Sequence, residues 1–272
     1  MTLPAITSVH NQRVKDAIKL RDHRQRARQG RFFIDGSREL LQAMRGTVRF
    51  LEVFVCPPWC RSAESRQVLD RLGQIQADIW QVLPEVFEKM AYGHRHEGVL
   101  AIAETPYPAL ADLAVPDRSL IAVLEALEKP GNVGAVLRSA DGGGVAAAVV
   151  ADPQTDLFNP NCIRASLGTI FTNPVCQSTT SETLAWLRRR GSKIFVARLD
   201  AERLYTDVDF RGDTALVLGS EAAGLSDAWQ AADITPIKLP MRGTADSLNV
   251  SATAAVLFYE AQRQREHAPR GN

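Results

Sequence analysis

The chain has 272 residues, 45% of them hydrophobic and 23% charged, with a formal net charge of +1, a composition that excludes disordered and collagen-like classes. No apolar run approaches the roughly 20 residues that span a bilayer, and the opening MTLPAITSVHNQRVKD lacks the charged-then-apolar plan of a secretion signal, so a cytoplasmic protein is expected. Four cysteines, Cys56, Cys60, Cys162 and Cys176, are too scattered for a disulfide framework, and the CPPWC spacing is not the two-residue redox spacing; no metal site is expected.

In chain order, VKDAIKLRDHRQRARQG (14–30) reads as one basic helix stopped at Gly30. RFFIDG then reads as a strand, SRELLQAM as a helix opened by Ser37, LEVFVC as a strand and SRQVLDRLGQI as a helix. DIWQVL, PEVFEKMA and GVLAIAE continue as strand, helix and strand. This alternation describes a small α/β layer. TPYPALADLAVPDRS (105–119) carries three prolines and is the linker candidate. Beyond it SLIAVLEAL, AAAVVAD, SKIFVARL, TALVLGS and ITPIKLP are apolar without strict alternation, as strands covered on both faces of a parallel sheet are. Helices fall between them, SETLAWLRRRG among them, and a last one runs from about Leu248 to Arg265. The expected division is a domain over 1–104, a linker over 105–118 and a second domain over 119–272.

The small net charge conceals an asymmetry. Residues 1–49 hold eleven Lys/Arg against four Asp/Glu, whereas from residue 107 onward there are sixteen against nineteen. A basic end on a near-neutral body suits a phosphate-bearing partner, and equally a solvated basic helix.

Three segments of the second half could carry chemistry. In PGNVGAVLRSADGGG (130–144), Pro130 and Gly131 suit a helix entrance and Asn132 can cap its first turn. Val133, Val136, Leu137 and Ala140 form a buried face with Arg138 beside it. The glycines match neither G-x-G-x-x-G nor a G-K-[ST] loop, which excludes the two familiar nucleotide-phosphate loops and a dinucleotide-dependent oxidoreductase; Gly142–Gly144 read as the turn out of the helix. In TALVLGSEAAGLS (214–226) a strand runs into Gly219, Ser220 and Glu221, and glycines at the carboxyl end of a parallel strand admit a ligand close to the backbone. In IKLPMRGTADSLNVSATAA (237–255), Ser247, Asn249 and Ser251 crowd a helix start, where they could bind a ligand or merely cap the helix. Each segment alone also has an ordinary structural reading.

Together, in order and spacing, NVGAVLRSA, LVLGSEAAGLS and LPMRGTADSLNVSATAA resemble the three signature motifs of the SpoU/TrmH family of RNA ribose 2′-O-methyltransferases, within the SPOUT superfamily. GRFFIDGSRELLQA upstream is similar to the family's substrate-binding domain. The resemblance implies an α/β protein: a C-terminal parallel-sheet trefoil-knot domain and a smaller N-terminal RNA-binding domain of ribosomal-protein type. It implies S-adenosylmethionine as cofactor, bound near Ala197, Leu199, Gly219, Leu239 and Leu248. By the same resemblance Arg138 is the central catalytic residue, clamping a phosphate and stabilising alkoxide charge, since a guanidinium does not serve readily as a base. Asn249, Ser247 and Ser251 would orient the ribose, Asn132 would fix the Arg138 loop, and Glu221 would order the second motif. Arg164 would reach RNA, as would Arg24, Arg26, Arg28 and Arg31 of the basic segment. The implied partners are RNA, 23S ribosomal RNA in preference to transfer RNA, and a second copy of the chain through the knot. A silent RNA-binding protein on the same scaffold is the rival, marked by loss of Arg138 or Asn249, both present here. Two departures from the family pattern stand out: Lys129, where relatives often have an acid, and Ala222–Ala223, where charge or glycine is common.

Overall fold

A computed structural model describes residues 3–93 and 97–267, so the outermost residues of both expected domains fall outside the described chain. The first unit begins with β1 (Ala5–Ile6), α1 (Gln12–Lys19), α2 (His23–Gln29), β2 (Arg31–Asp35), α3 (Ser37–Ala43) and β3 (Phe50–Val55). It continues through α4 (Ala63–Arg71), β4 (Asp78–Val82), α5 (Pro84–Met90) and β5 (Val99–Glu104). Its sheet runs β1-β4-β3-β5-β2, with β5 antiparallel to both neighbours. The single basic helix expected over 14–30 is two helices. The Asp22 carboxylate accepts the backbone N–H of Gln25 and caps α2, so the chain breaks between Leu20 and Asp22. Gly30, at φ 61, ends α2 as expected.

The chain then enters the second unit with β6 (Leu120–Glu125), α6 (Pro130–Gly142) and β7 (Ala147–Ala151). α7 (Pro160–Ala165) follows, and then β8 (Val175–Ser178), α8 (Thr180–Arg190), β9 (Lys193–Ala197), β10 (Thr214–Leu218), β11 (Ile234–Ile237) and α9 (Val250–Glu266). The six strands form an all-parallel sheet in the order β11-β9-β10-β6-β7-β8. β6, β7 and β10 are buried at every position, which accounts for their unbroken apolar sequences. Thr179 and Glu182 form a capping box at the start of α8, and Gly191 closes it at φ 68.

Packing divides the chain differently from the expected boundaries. The first unit is Met1–Pro106 with Asp156–Thr172, and the second is Tyr107–Thr155 with Asn173–Asn272. Within the first unit Phe158 and Phe171 pack on Phe32 at ring-centroid distances of 4.6 and 5.9 Å, and Asp156 receives a hydrogen bond from Arg26 at 2.6 Å. Those contacts join residues more than a hundred positions apart, and local periodicity carries no trace of them.

The glycines closing α6 also differ from their expected role. Only Gly144, at φ 67, is in the left-handed region. Gly143 is buried, and a methyl group there would lie 2.7 Å from Cβ of Phe258 on α9. The glycine therefore lets α6 and α9 approach closely, and the turn is left to its neighbour.

Candidate functional site at the carboxyl edge of the parallel sheet

Strand register brings distant segments to one edge. Leu218 of β10 pairs with Leu124 of β6, Val217 with Val196 of β9, and Ala197 with Ile237 of β11. The residues that follow, Leu199, Gly219 and Leu239, thus leave the sheet side by side at its carboxyl end, where parallel α/β sheets bind ligands. Leu199 is 65% exposed, Leu248 is also exposed, and Ala197 and Leu239 are half-buried. Apolar side chains left open at this edge, next to backbone turns, are what an adenine-bearing ligand packs against.

Gly219 is fixed by its own loop. Ser220 and Gly224 exchange two backbone hydrogen bonds of 3.1 and 3.0 Å, and a Cβ on Gly219 would collide with the carbonyl of Gly224. The Ser220 hydroxyl accepts the backbone N–H groups of Ala222 at 3.1 Å and Ala223 at 3.4 Å. The two alanines that depart from the family pattern thus join the loop through their backbones, and their exposed side chains leave its bonding unchanged.

Glu221 is where the three segments meet. Its Oε1 accepts from Asn132 Nδ2 at 2.9 Å and from Asn249 Nδ2 at 2.8 Å, while its Oε2 accepts from Lys129 Nζ. The Glu221 carboxylate therefore ties together residues 129, 132 and 249. The Lys129 hydrogen bond, above all, holds the Glu221 carboxyl below the usual carboxylate range, and Glu221 in turn raises the Lys129 ammonium above its ordinary value. With three donors shared between its two oxygens, Glu221 acts as a brace between the segments.

Asn249 serves two readings at once. As N-cap of α9 its Oδ1 accepts the backbone N–H of Ser251 at 2.9 Å, and its Nδ2 is committed to Glu221. The Ser251 hydroxyl donates to the same Oδ1 at 2.6 Å, which leaves its lone pairs for an incoming donor. Asn132 does not cap α6: the N-cap residue is Lys129, and the Asn132 amide turns to Glu221. Ser247 lies exposed in the loop before α9, outside this network.

Arg138 lies six residues beyond Asn132 on α6, exposed and without a hydrogen bond or ion pair among the described residues. One turn further on, Gly142 abuts the hydroxyl of Tyr259 on α9, where a methyl group would lie 2.8 Å from Oη. Arg138 and the outer surface of α9 therefore belong to one continuous exposed face.

Two residues expected on RNA are committed elsewhere. Arg26 is only 3% exposed; it donates to Asp156 and, at 2.8 Å each, to the carbonyls of Leu20 and Arg21. Arg164 donates to the Tyr92 carbonyl at 2.7 Å, lies over the Tyr92 ring and faces Asp35 at 3.5 Å. Burial raises that aspartate to about 6. Both arginines hold the first unit together. Arg24, Arg28 and Arg31 remain exposed.

Sequence reasoning missed two contributors. Glu125, buried at the end of β6, accepts from Thr180 Oγ1 at 2.8 Å and from Ser226 N and Oγ at 2.8 and 2.7 Å. It anchors the far end of the Glu221 loop, and its signal was a lone acid closing an apolar strand. Lys129 stood out in the sequence only as a departure from the family pattern. Among the described residues no group of three or more His, Cys, Asp or Glu side chains is placed to hold a metal ion. Among them, too, no helix is long and apolar enough to cross a membrane.

Comparison with known proteins decides the family. The SpoU rRNA Methylase family profile matches residues 119–259, over half of the chain. The chain belongs to the SpoU rRNA methylase family. The MRM3-like substrate binding domain matches residues 11–101, upstream of the SpoU match. A 23S rRNA (uridine(2479)-2'-O)-methyltransferase of Streptomyces viridochromogenes is 33% identical over 185 residues, 65% of this chain and 64% of that protein, slightly under two thirds of its length. The crystal structure of an RNA 2'-O ribose methyltransferase superposes with a TM-score of 0.83 at 36% identity, covering 96% of this chain and 98% of the other. The SpoU methyltransferase AviRb from Streptomyces viridochromogenes, solved in complex with AdoMet, gives a TM-score of 0.85 at 26% identity, covering 95% and 100%.

Proposed function

We propose that this protein methylates a ribose 2′-hydroxyl in structured RNA, on 23S ribosomal RNA, using S-adenosylmethionine, and that it works in the cytoplasm. The observation that carries this reading is the Glu221 carboxylate, which joins the three SpoU segments at the carboxyl edge of the sheet with an uncommitted arginine on the same helix. The cofactor would lie against Ala197, Leu199, Gly219, Leu239 and Leu248; the open apolar side chains and the tight Gly219 turn suit it. When bound, it supplies an electrophilic methyl group on a sulfonium. A 2′-hydroxyl is a weak nucleophile at neutral pH, and its attack builds negative charge on oxygen. Arg138, permanently cationic, stabilises that charge and grips the neighbouring phosphate. Ser251 offers its hydroxyl lone pairs to orient the ribose, Ser247 borders the same loop, and Asn132, Asn249 and Glu221 hold the frame.

The reading includes a trefoil knot and a homodimer. β11 is the edge strand and α9 packs against α6, an arrangement that supports a knotted third motif. Ala252, Val256 and Tyr259 are exposed at spacings of four and three along α9, Tyr259 by 54%. A partner on that face would lie beside Arg138, which would then act next to the partner's cofactor. Arg24, Arg28 and Arg31 of the first unit supply salt-dependent affinity for RNA phosphates; unpaired loops and shape supply the choice of target.

The test is a map of ribose methylation across ribosomal and transfer RNA from cells with and without the protein. A 2′-O-methyl mark that disappears from 23S rRNA is expected. Loss confined to transfer RNA would move the substrate, and an unchanged map would overturn the activity.

A further inference from the structure

Lys129 has no part in the methyl-transfer step itself, yet it is the one cation on the Glu221 brace. At the N-cap of α6 its side chain makes no capping bond; its ammonium reaches to Glu221 Oε2. The two carboxylate oxygens divide their work. Oε1 takes both asparagine amides, from α6 and from the start of α9, and Oε2 takes the lysine. A carboxylate held at one oxygen only can turn about its last bond; held at both, it presents Oε1 to Asn132 and Asn249 together. We infer that Lys129 is a positioning residue for methyl transfer: its ammonium fixes the Glu221 carboxylate so that Asn249 stays clamped to Asn132 at the start of α6, the helix that carries Arg138. The inference rests on the proposed reaction.

The charged and polar groups facing Glu221 are Lys129 and Asn132 from the start of α6 and Asn249 from the start of α9. Glu128, whose carboxylate acts on Lys129 and accepts weakly from Ser220, is the other charge nearby. Lysine supplies the only positive charge in this set. Its loss leaves the amides facing a carboxyl that protonates more readily, and a protonated carboxyl offers a donor where an amide donor already points. The Lys129 side chain is two-thirds exposed, so the pair adds little to folding stability. Position and stability therefore separate.

The experiment uses the full chain with Lys129→Met, Lys129→Arg and Lys129→Glu. The Glu221 carboxyl is titrated by carbon NMR without RNA or cofactor, and kcat and KM for a 23S rRNA fragment are followed against pH. With Lys129→Met, Glu221 titrates at higher pH and the acid limb of kcat moves up with it. kcat at neutral pH falls about ten-fold, within the range that misplaced groups cost, while KM and the melting temperature stay near those of the wild type. Lys129→Arg restores kcat, and Lys129→Glu lowers it further by setting like charges together. An unmoved Glu221 titration with unchanged kcat would overturn the inference. So would a raised KM at constant kcat, which would place Lys129 on the RNA. A wild type that transfers no methyl group would sink the reaction itself, while the titration would still decide whether Lys129 holds Glu221.

Discussion

Two arginine-bearing helices of this chain, the polar α2 and the largely apolar α6, use their arginines in opposite ways. On α2, Arg26 is buried and spends its donors on one carboxylate and two carbonyls. On α6, Arg138 stands exposed with none of its donors taken by the described residues. A guanidinium that the fold has already satisfied cannot also meet a substrate without uncovering what it holds, whereas one left open on a helix that an ordered brace anchors can. Arginines available for chemistry are those the fold does not need.

That contrast can be broken at several points. Arg138→Ala should reduce methyl transfer by about 10²–10³-fold, the cost of removing one well-placed electrostatic stabiliser. Its folding stability should stay within roughly 0.5 kcal/mol of wild type, and cofactor affinity by calorimetry should be nearly unchanged; undiminished turnover would end the proposed role. Arg26→Ala should show the reverse, a loss of about 3–5 kcal/mol in urea unfolding, because Asp156 is left without its partner in a half-buried site. A melting temperature equal to the wild type's would show that the pair is dispensable.

A smaller effect is expected between α6 and α9. Gly143→Ala drives a methyl group into Phe258 and should destabilise by about 1–3 kcal/mol. A neutral result would mean that α9 yields freely. The mildest change is on the surface of the first unit. Replacing Arg24, Arg28 and Arg31 together by Gln should flatten the logarithmic salt dependence of RNA binding, by about 0.7–0.9 for each phosphate no longer neutralised. A slope equal to that of the wild type would remove this stretch from the RNA interface.

Most of the fold was legible because its elements announce themselves locally. Apart from β8, the strands of the second sheet lie within largely apolar runs, α8 carries its capping box in Thr179 and Glu182, and Gly30 and Gly191 stop helices as glycines do. β8 went unseen because its four residues, Val175–Ser178, are too short and too polar to show a period. The break in the first basic stretch was written in Asp22 but overshadowed by the arginines around it. Of the site, the three segments were legible as a set, and what joins them was not. That Asn132 turns from the helix end to Glu221, 89 residues away, is a matter of tertiary placement. The same reason hid the commitments of Arg26 and Arg164: nothing in RQRARQ marks the middle arginine as the one that will meet Asp156. Lys129 shows the converse, a residue that looks like a blemish in a motif and proves to be the counter-ion of the brace.

The central claim, that this edge of the sheet methylates a ribose, is tested most directly by following the methyl group. Purified protein, S-adenosylmethionine labelled in its methyl group and 23S rRNA are incubated together, and the RNA is then hydrolysed in alkali. A 2′-O-methyl group removes the hydroxyl that would cleave the adjoining phosphodiester, so the account predicts label in an alkali-resistant dinucleotide, lost with Arg138→Ala. Label released in mononucleotides would put the methyl group on a base, and would contradict it.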